Sequence, residues 1–215
     1  MKQLNARKQP TARNHRFPNG RFRCPWVMPR PLIVHYHDTE WGVPQHDDAR
    51  LFEALTLQTF QTGYYWDVFL RHRRQYRDAF AGFDPQRLAR LESEDVLRLA
   101  RHPGIIHTRE KISATISNAR QAMKIQEEFG TFDKYLWQPV GGGPIEHHFQ
   151  TLADYPGRDG FSDALSTDLR KRGFLMTSTG VCYAFMEAVG MVNDHTLSCF
   201  RHAEVAKTDR AGKSD

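Results

Sequence analysis

With 215 residues, 40% of them hydrophobic, the chain can bury a substantial core and suits one large domain or two small lobes. No run approaches the roughly eighteen apolar residues of a membrane span, no signal peptide is visible, and three cysteines suggest a reduced, cytosolic or nuclear setting. The net charge of +5 sits at one end: residues 1–23 hold Lys2, Arg7, Lys8, Arg13, Arg16, Arg21 and Arg23 and no acid, and the remainder nets −2.

That basic, acid-free leader of residues 1–23 reads as a disordered tail. It either adds sequence-independent phosphate affinity or is a solvated extension without a partner. It lacks the apolar stripe of a mitochondrial presequence. Next comes Cys24-Pro25-Trp26, then His35-Tyr36-His37-Asp38-Thr39-Glu40-Trp41-Gly42, whose aromatics follow no helical period. Asp47-Asp48 can cap a helix carrying Leu51, Phe52, Leu55 and, on the same face, Gln58. Tyr64-Tyr65-Trp66-Asp67 follows it. Asp84-Pro85 and Ser93-Glu94-Asp95 start two further helices. A helix ending near Arg101, a tight turn His102-Pro103-Gly104-Ile105-Ile106 and a long helix from Thr108 to Phe129, stopped by Gly130, form a helix-hairpin-helix pattern. In that pattern Gly104 bares backbone N–H groups toward a phosphate, and Arg109 and Lys111 add charge. Residues 138–159 read as a long loop, Ser162 to Arg172 as a helix ended by Gly173, and Cys182 to Val189 as an apolar helix in which Cys182 is a small buried hydrophobe. The sequence closes on a polar tail, residues 203–215. No convincing alternating strands are found, and the fold class expected is all-α.

Two distant pieces look like halves of one metal site. His195 and Cys199, four apart in Asn193-Asp194-His195-Thr196-Leu197-Ser198-Cys199, would share one face of a helix. Cys24 and His37, thirteen apart, have loop-like spacing. Together they make the Cys₂His₂ set of closed tetrahedral Zn²⁺ sites, with no position left for water, so the ion would be structural and clamp the N-terminal segment to the C-terminal one. His35, two residues from His37, is the competing ligand, but extended spacing would aim it the other way.

These segments resemble the 3-methyladenine DNA glycosylase I family. The resemblance extends through Phe52-Glu53, Gln61-x-Gly63-x-x-Trp66, Gly104-Ile105-Ile106 with Arg109 and Lys111-Ile112, Ser162-Asp163-Ala164-Leu165-Ser166 and Lys171-Arg172-Gly173-Phe174, over about residues 24–200. It implies a helix-hairpin-helix glycosylase domain at 24–202, a zinc clamp, and hydrolysis of the N-glycosidic bond of alkylated purines in duplex DNA, most simply 3-methyladenine, after base flipping. It implies a bacterial protein working as a monomer, in the cytoplasm and at the nucleoid when on DNA. Trp26, Tyr36, Trp41 and Trp66 match positions that line the family's base pocket.

Two departures stand out. The family usually carries at position 58 a Glu that reads the base edge; here Gln58 keeps an acceptor oxygen but cannot carry charge. On this reading Gln58 is the catalytic candidate, and Gln58→Glu would raise excision. Tyr64 and Tyr65 stand where Leu-Ser is common and would re-shape the pocket. Asp67 could replace the missing carboxylate only weakly, pointing about 100° from Trp66, while Asp38 and Glu40 suit a hydrogen bond to the outer nitrogen of a ligand His. Three functions follow: a 3-methyladenine glycosylase, a glycosylase of shifted base specificity, or a non-catalytic binder of damaged nucleic acid.

Overall fold

The computed structural model describes residues 15–212, and they are mainly helical. A short antiparallel hairpin, β1 (His15–Arg16) and β2 (Phe22–Arg23), opens the chain. The expectation of disorder through residue 23 is therefore corrected over its last nine residues. Arg23 is buried, and its guanidinium donates to both carboxylate oxygens of Asp38 at 2.6–3.1 Å. A basic side chain with a bidentate partner in a dry place behaves as an anchor. Residues 1–14 lie outside the described part.

Helix α1 (Pro31–Thr39) starts on a proline, whose missing N–H costs nothing at a helix start, and it carries Tyr36 and His37. The spacing suggests an irregular segment here; of Trp26, Tyr36 and Trp41 only Tyr36 lies on this helix, so the three share no period. Asp47 caps α2 (Asp48–Gln61) by accepting from Arg50 N, and α3 (Trp66–Ala79) follows after a turn at Gly63. Asp84 and Pro85 start α4 (Pro85–Leu88), and α5 (Ser93–Leu99) comes next. The long α6 (Arg109–Phe129) stops where Gly130 turns to φ +87°. Helix α7 (Phe132–Trp137) leads into an irregular stretch holding β3 (Ile145–Glu146). Helix α8 (Gly160–Lys171) and α9 (Thr179–Ala188) then pack on each other, and β4 (Val192–Asn193) pairs in parallel with β3.

Two further expectations change. His195 and Cys199 sit in an irregular turn ahead of α10 (Phe200–Gly212), not on a helix, and the polar C-terminal stretch continues that helix. The four-residue spacing still brings the two side chains together, because a turn reverses the chain over the same interval.

The main core gathers Phe52, Phe60, Phe69, Phe80, Leu88, Ile112, Phe132 and Phe185 from α2, α3, α4, α6, α7 and α9. A smaller cluster of Cys24, Val27, Ile33, Tyr36, Trp41 and Cys199 joins the two ends of the chain. The seam between them is tight at Gly190. A Cβ there would lie 2.5 Å from Pro44 N and Val43 C, and its φ is +74°. Gly190→Ala is expected to cost about 3 kcal/mol or more, from a backbone clash plus left-handed strain, read as a lowered denaturation midpoint.

Candidate active site

Four side chains from the two ends meet first. Cys24, His37, His195 and Cys199 are all buried, and their ligand atoms lie within 4.8 Å of one another. Cys24 Sγ is 3.4 Å from His195 Nδ1, and Cys199 Sγ is 3.4 Å from His37 Nε2 and 3.6 Å from His195 Nδ1. The remaining ring nitrogens are oriented: His37 Nδ1 is 2.8 Å from Asp38 Oδ1, and His195 Nε2 is 3.1 Å from Trp41 O. Those outer contacts fix which nitrogen faces inward, as at metal-binding histidines generally. Burial pushes the Cys24 thiol up, while Cys24 itself, then His195 and His37, hold Cys199 down at about 2. The group could hold a metal ion. Asp38 takes the supporting position expected of it, and its own carboxyl is lowered by Arg23 and His37 against the effect of burial.

Against this cluster stands an aromatic-walled cavity of about 190 Å³, lined by Trp26, Tyr36, Trp41, Gln58, Gln61, Trp66, Tyr155, Ala184 and Glu187. Trp26 meets Trp41 edge-on at 4.9 Å, Trp41 meets His195 at 4.7 Å, and Tyr36 lies 5.4 Å from Trp66. The Cys₂His₂ group thus borders the wall of the pocket directly. Burial keeps the Tyr36 phenol protonated, hence a donor. Three polar atoms of lining residues are buried and without partners: Trp26 Nε1, Trp66 Nε1 and Gln58 Oε1. Gln58 is only 6% exposed, which removes a solvent-facing role. Two N–H donors and one acceptor left unsatisfied around one cavity are costly unless a ligand completes them. A planar heteroaromatic with donors and acceptors at its edge meets that demand.

Several expected residues lie elsewhere. Tyr64 and Tyr65 are 47% and 63% exposed and do not line this cavity; Tyr64 borders the shallow groove at its mouth with Gly63, Ser178 and Gly180. A turn residue facing solvent cannot narrow a pocket. Asp67 is paired with Arg30 and Arg71, away from Gln58. Glu40 is bonded to Arg73 and lines a separate cavity beyond Tyr36 and Trp66. Lys111 does not face outward for phosphate: its Nζ donates to Phe60 O at 2.8 Å and Thr62 O at 3.2 Å, the exposed carbonyls at the end of α2. Lys111→Met is expected to loosen the 60–64 turn, raising amide hydrogen exchange there while leaving the α5–α6 joint unchanged. Of the hairpin residues, Gly104 has φ +92°, and a Cβ there would sit 2.7 Å from Gln75 Cγ. Arg109 is exposed in the first turn of α6.

A family model for methyladenine glycosylase matches residues 26–202. The chain belongs to that family. DNA-3-methyladenine glycosylase 1 of Escherichia coli strain K12 is 43% identical over 177 residues, covering 82% of this chain and 95% of that protein. A crystal structure of 3-methyladenine DNA glycosylase I superposes with TM-score 0.80 at 44% identity, covering 83% of this chain and 98% of that one. A tyrosine-to-phenylalanine variant of a 3-methyladenine DNA glycosylase I, in complex with 3-methyladenine, gives TM-score 0.80 at 31% identity over 83% and 96% of the two chains. The methyladenine glycosylase fold accounts for the helical architecture, and the β1–β2 hairpin lies outside the matched span. Among the described residues, no helix is long and apolar enough to cross a membrane.

Sequence reasoning missed Gln61, Tyr155, Ala184 and Glu187 in the pocket. Gln61 follows Gln58 by three on α2, a spacing that could have shown it. Glu187 interrupts the apolar face of α9, which was legible as an acid without a surface. Tyr155 comes from the 138–159 loop, where no period exists to read.

Proposed function

We propose that the chain is a DNA base-excision glycosylase that hydrolyses the N-glycosidic bond of 3-methyladenine or a closely related alkylated purine. What supports this most is the aromatic cavity with its unpartnered Trp26, Trp66 and Gln58 atoms, in a chain of the methyladenine glycosylase family. A flipped purine would stack against Trp66 and present its edge to Gln58 and Tyr36, since the glycosidic carbon is out of reach inside a duplex. Gln58 Oε1 accepts from an exocyclic amine. The positive charge of an N3-methylated adenine weakens its own glycosidic bond, so water suffices as nucleophile and no lysine adduct is needed. The account is tested by incubating the protein with methylated duplex DNA and separating the freed bases.

The ion we assign to the Cys24, His37, His195 and Cys199 group is structural Zn²⁺. Tetrahedral zinc with S at about 2.3 Å and N at about 2.0–2.1 Å puts sulfur and nitrogen about 3.5 Å apart. The 3.4–3.6 Å separations agree with that. Four protein ligands leave no site for a reacting water, so the ion holds the pocket wall and takes no part in bond cleavage.

Duplex DNA would be gripped at the α5–α6 joint, with backbone N–H groups at Gly104 and the charge of Arg109 near phosphate, and the protein would act as a cytoplasmic monomer at the nucleoid. Arg109→Ala is expected to weaken binding to any duplex about equally and to reduce its salt dependence by about one phosphate contact, measured by fluorescence anisotropy across salt concentrations. Deleting residues 1–14, which carry Lys2, Arg7, Lys8 and Arg13, is expected to weaken it further. A shift of base specificity has less support than the sequence suggested, because Tyr64 and Tyr65 are outside the cavity.

A further inference from the structure

Gln58 leaves the pocket short of charge where α2 lines it, yet α9 brings a carboxyl group into the same lining. Glu187, in the last turn of α9, lines the same cavity as Gln58, Trp66 and Tyr36, and it is half-buried, its accessible part opening there. Glu187 forms no ion pair with Arg or Lys among the described residues. Its side chain meets Asp194, a fully buried carboxyl that already holds Tyr183 Oη at 2.6 Å and His147 Nδ1 at 2.6 Å. A carboxyl lining an aromatic pocket with a second, fully buried carboxyl packed against it is an expensive arrangement.

We propose that Glu187 is the specificity-determining carboxyl of this pocket, the group that distinguishes a positively charged methylated purine from neutral adenine, in place of an acid at position 58. This rests on the glycosylase reading above.

The physical argument concerns what each side chain can and cannot discriminate. Gln58 Oε1 accepts a hydrogen bond from the exocyclic amine of adenine and of its methylated form alike, with only a modest gain when the donor belongs to a cation. Stacking on Trp66 adds a cation–π preference for the charged ring. A carboxyl lining the same cavity adds a full opposite charge, the strongest of the three discriminations between a fixed cation and a neutral ring. Burial and Asp194 push the Glu187 carboxyl well above the usual range, which reflects the cost of holding its charge there without a cation. A fixed cation seated against Glu187 in the shared cavity offsets that cost; a neutral base does not. The effect falls on binding more than on bond cleavage, since positive charge leaves the base for the sugar as the glycosidic bond breaks. Glu187 is therefore expected to govern KM and selectivity, with a smaller influence on kcat.

Glu187→Gln is the informative variant, because an amide keeps a donor toward Asp194 and removes the capacity for charge. The probes are the 3,9-dimethyladeninium ion, a fixed-charge mimic of the lesion with no bond to cleave, and neutral 9-methyladenine. Each is titrated into full-length protein and followed by quenching of tryptophan fluorescence, with metal content and thermal unfolding measured in parallel. Wild type is expected to favour the cation at least tenfold, Glu187→Gln to bring the two within threefold, and Glu187→Gln with Gln58→Glu to restore the preference. A purely structural role would weaken both probes together, or lower stability and metal content, with the ratio unchanged. An unchanged ratio in Glu187→Gln overturns the proposal, as does a wild type without preference. On methylated DNA, Glu187→Gln is expected to raise KM about tenfold with kcat within threefold. If wild type released no base yet kept its Glu187-dependent preference, the glycosylase reading would fail and this assignment would stand.

Discussion

Stripping the metal with a chelator, or replacing Cys199 by alanine, is expected to cost the fold on the order of 4–5 kcal/mol, the range in which loss of a metal site stands out from ordinary substitutions. For a domain of this size that lowers Tm by about 8–20 °C. Cys24 and His37 come from one end of the chain and His195 and Cys199 from the other, and the small apolar cluster joining those ends is built around the same sulfurs. Without an ion, four buried polar groups must satisfy one another, two of them thiols competing for charge. Ion binding is then folding energy, because the unfolded chain has no such site. Cys182→Ala is the matched control: it is buried in the main core, outside the cluster, and loses packing and one weak Sγ contact to Thr177 O at 3.7 Å. Elemental analysis and calorimetry of protein purified without chelator read both quantities. One zinc per chain and a chelator-sensitive Tm are expected; absence of stoichiometric zinc, or a Tm indifferent to chelation, would remove the assignment.

The second large effect is on activity. Gln58→Ala is expected to lower kcat/KM for base release about 10- to 100-fold, the loss of one to two decades that follows when a buried hydrogen-bond partner for the substrate is removed. Stability should move the other way or not at all. Gln58 Oε1 has no partner among the described residues, so its removal deletes an unsatisfied buried acceptor. A variant that loses function while keeping its Tm marks a group held for a ligand. Gln58→Glu alone is expected to give little gain, contrary to what the sequence suggests, because it puts a second carboxyl in the cavity with Glu187 and like charges keep one of them protonated. Steady-state release from one batch of methylated DNA by wild type, Gln58→Ala and Gln58→Glu measures all three. Equal rates would place position 58 outside the working site.

Residue types with one strong preference were legible in the sequence. Asp47, Asp84 and Gly130 mark helix ends by local chemistry, and the structure puts those ends where the residues stand. The Cys₂His₂ set was legible because soft ligands are rare and their clustering is specific, although the helix imagined under His195 and Cys199 is a turn. Three things were hidden. Tyr155 reaches the pocket through tertiary packing that no spacing encodes. Lys111 carries the same charge whether it meets phosphate or the carbonyls of Phe60 and Thr62, and only the fold decides between them. Tyr64 and Tyr65 adjoin Trp66 in sequence, but the turn at Gly63 and the start of α3 send them outward.

The central claim is excision of 3-methyladenine, and identifying the freed base tests it most directly. Duplex DNA treated with a methylating agent is incubated with the protein, and the small molecules released are separated and identified by mass, with heat-inactivated protein as the control. Free 3-methyladenine well above the control, with unmodified adenine absent, is the result expected. Release of a different base in its place, or no base at all from protein that binds the same DNA, would contradict it.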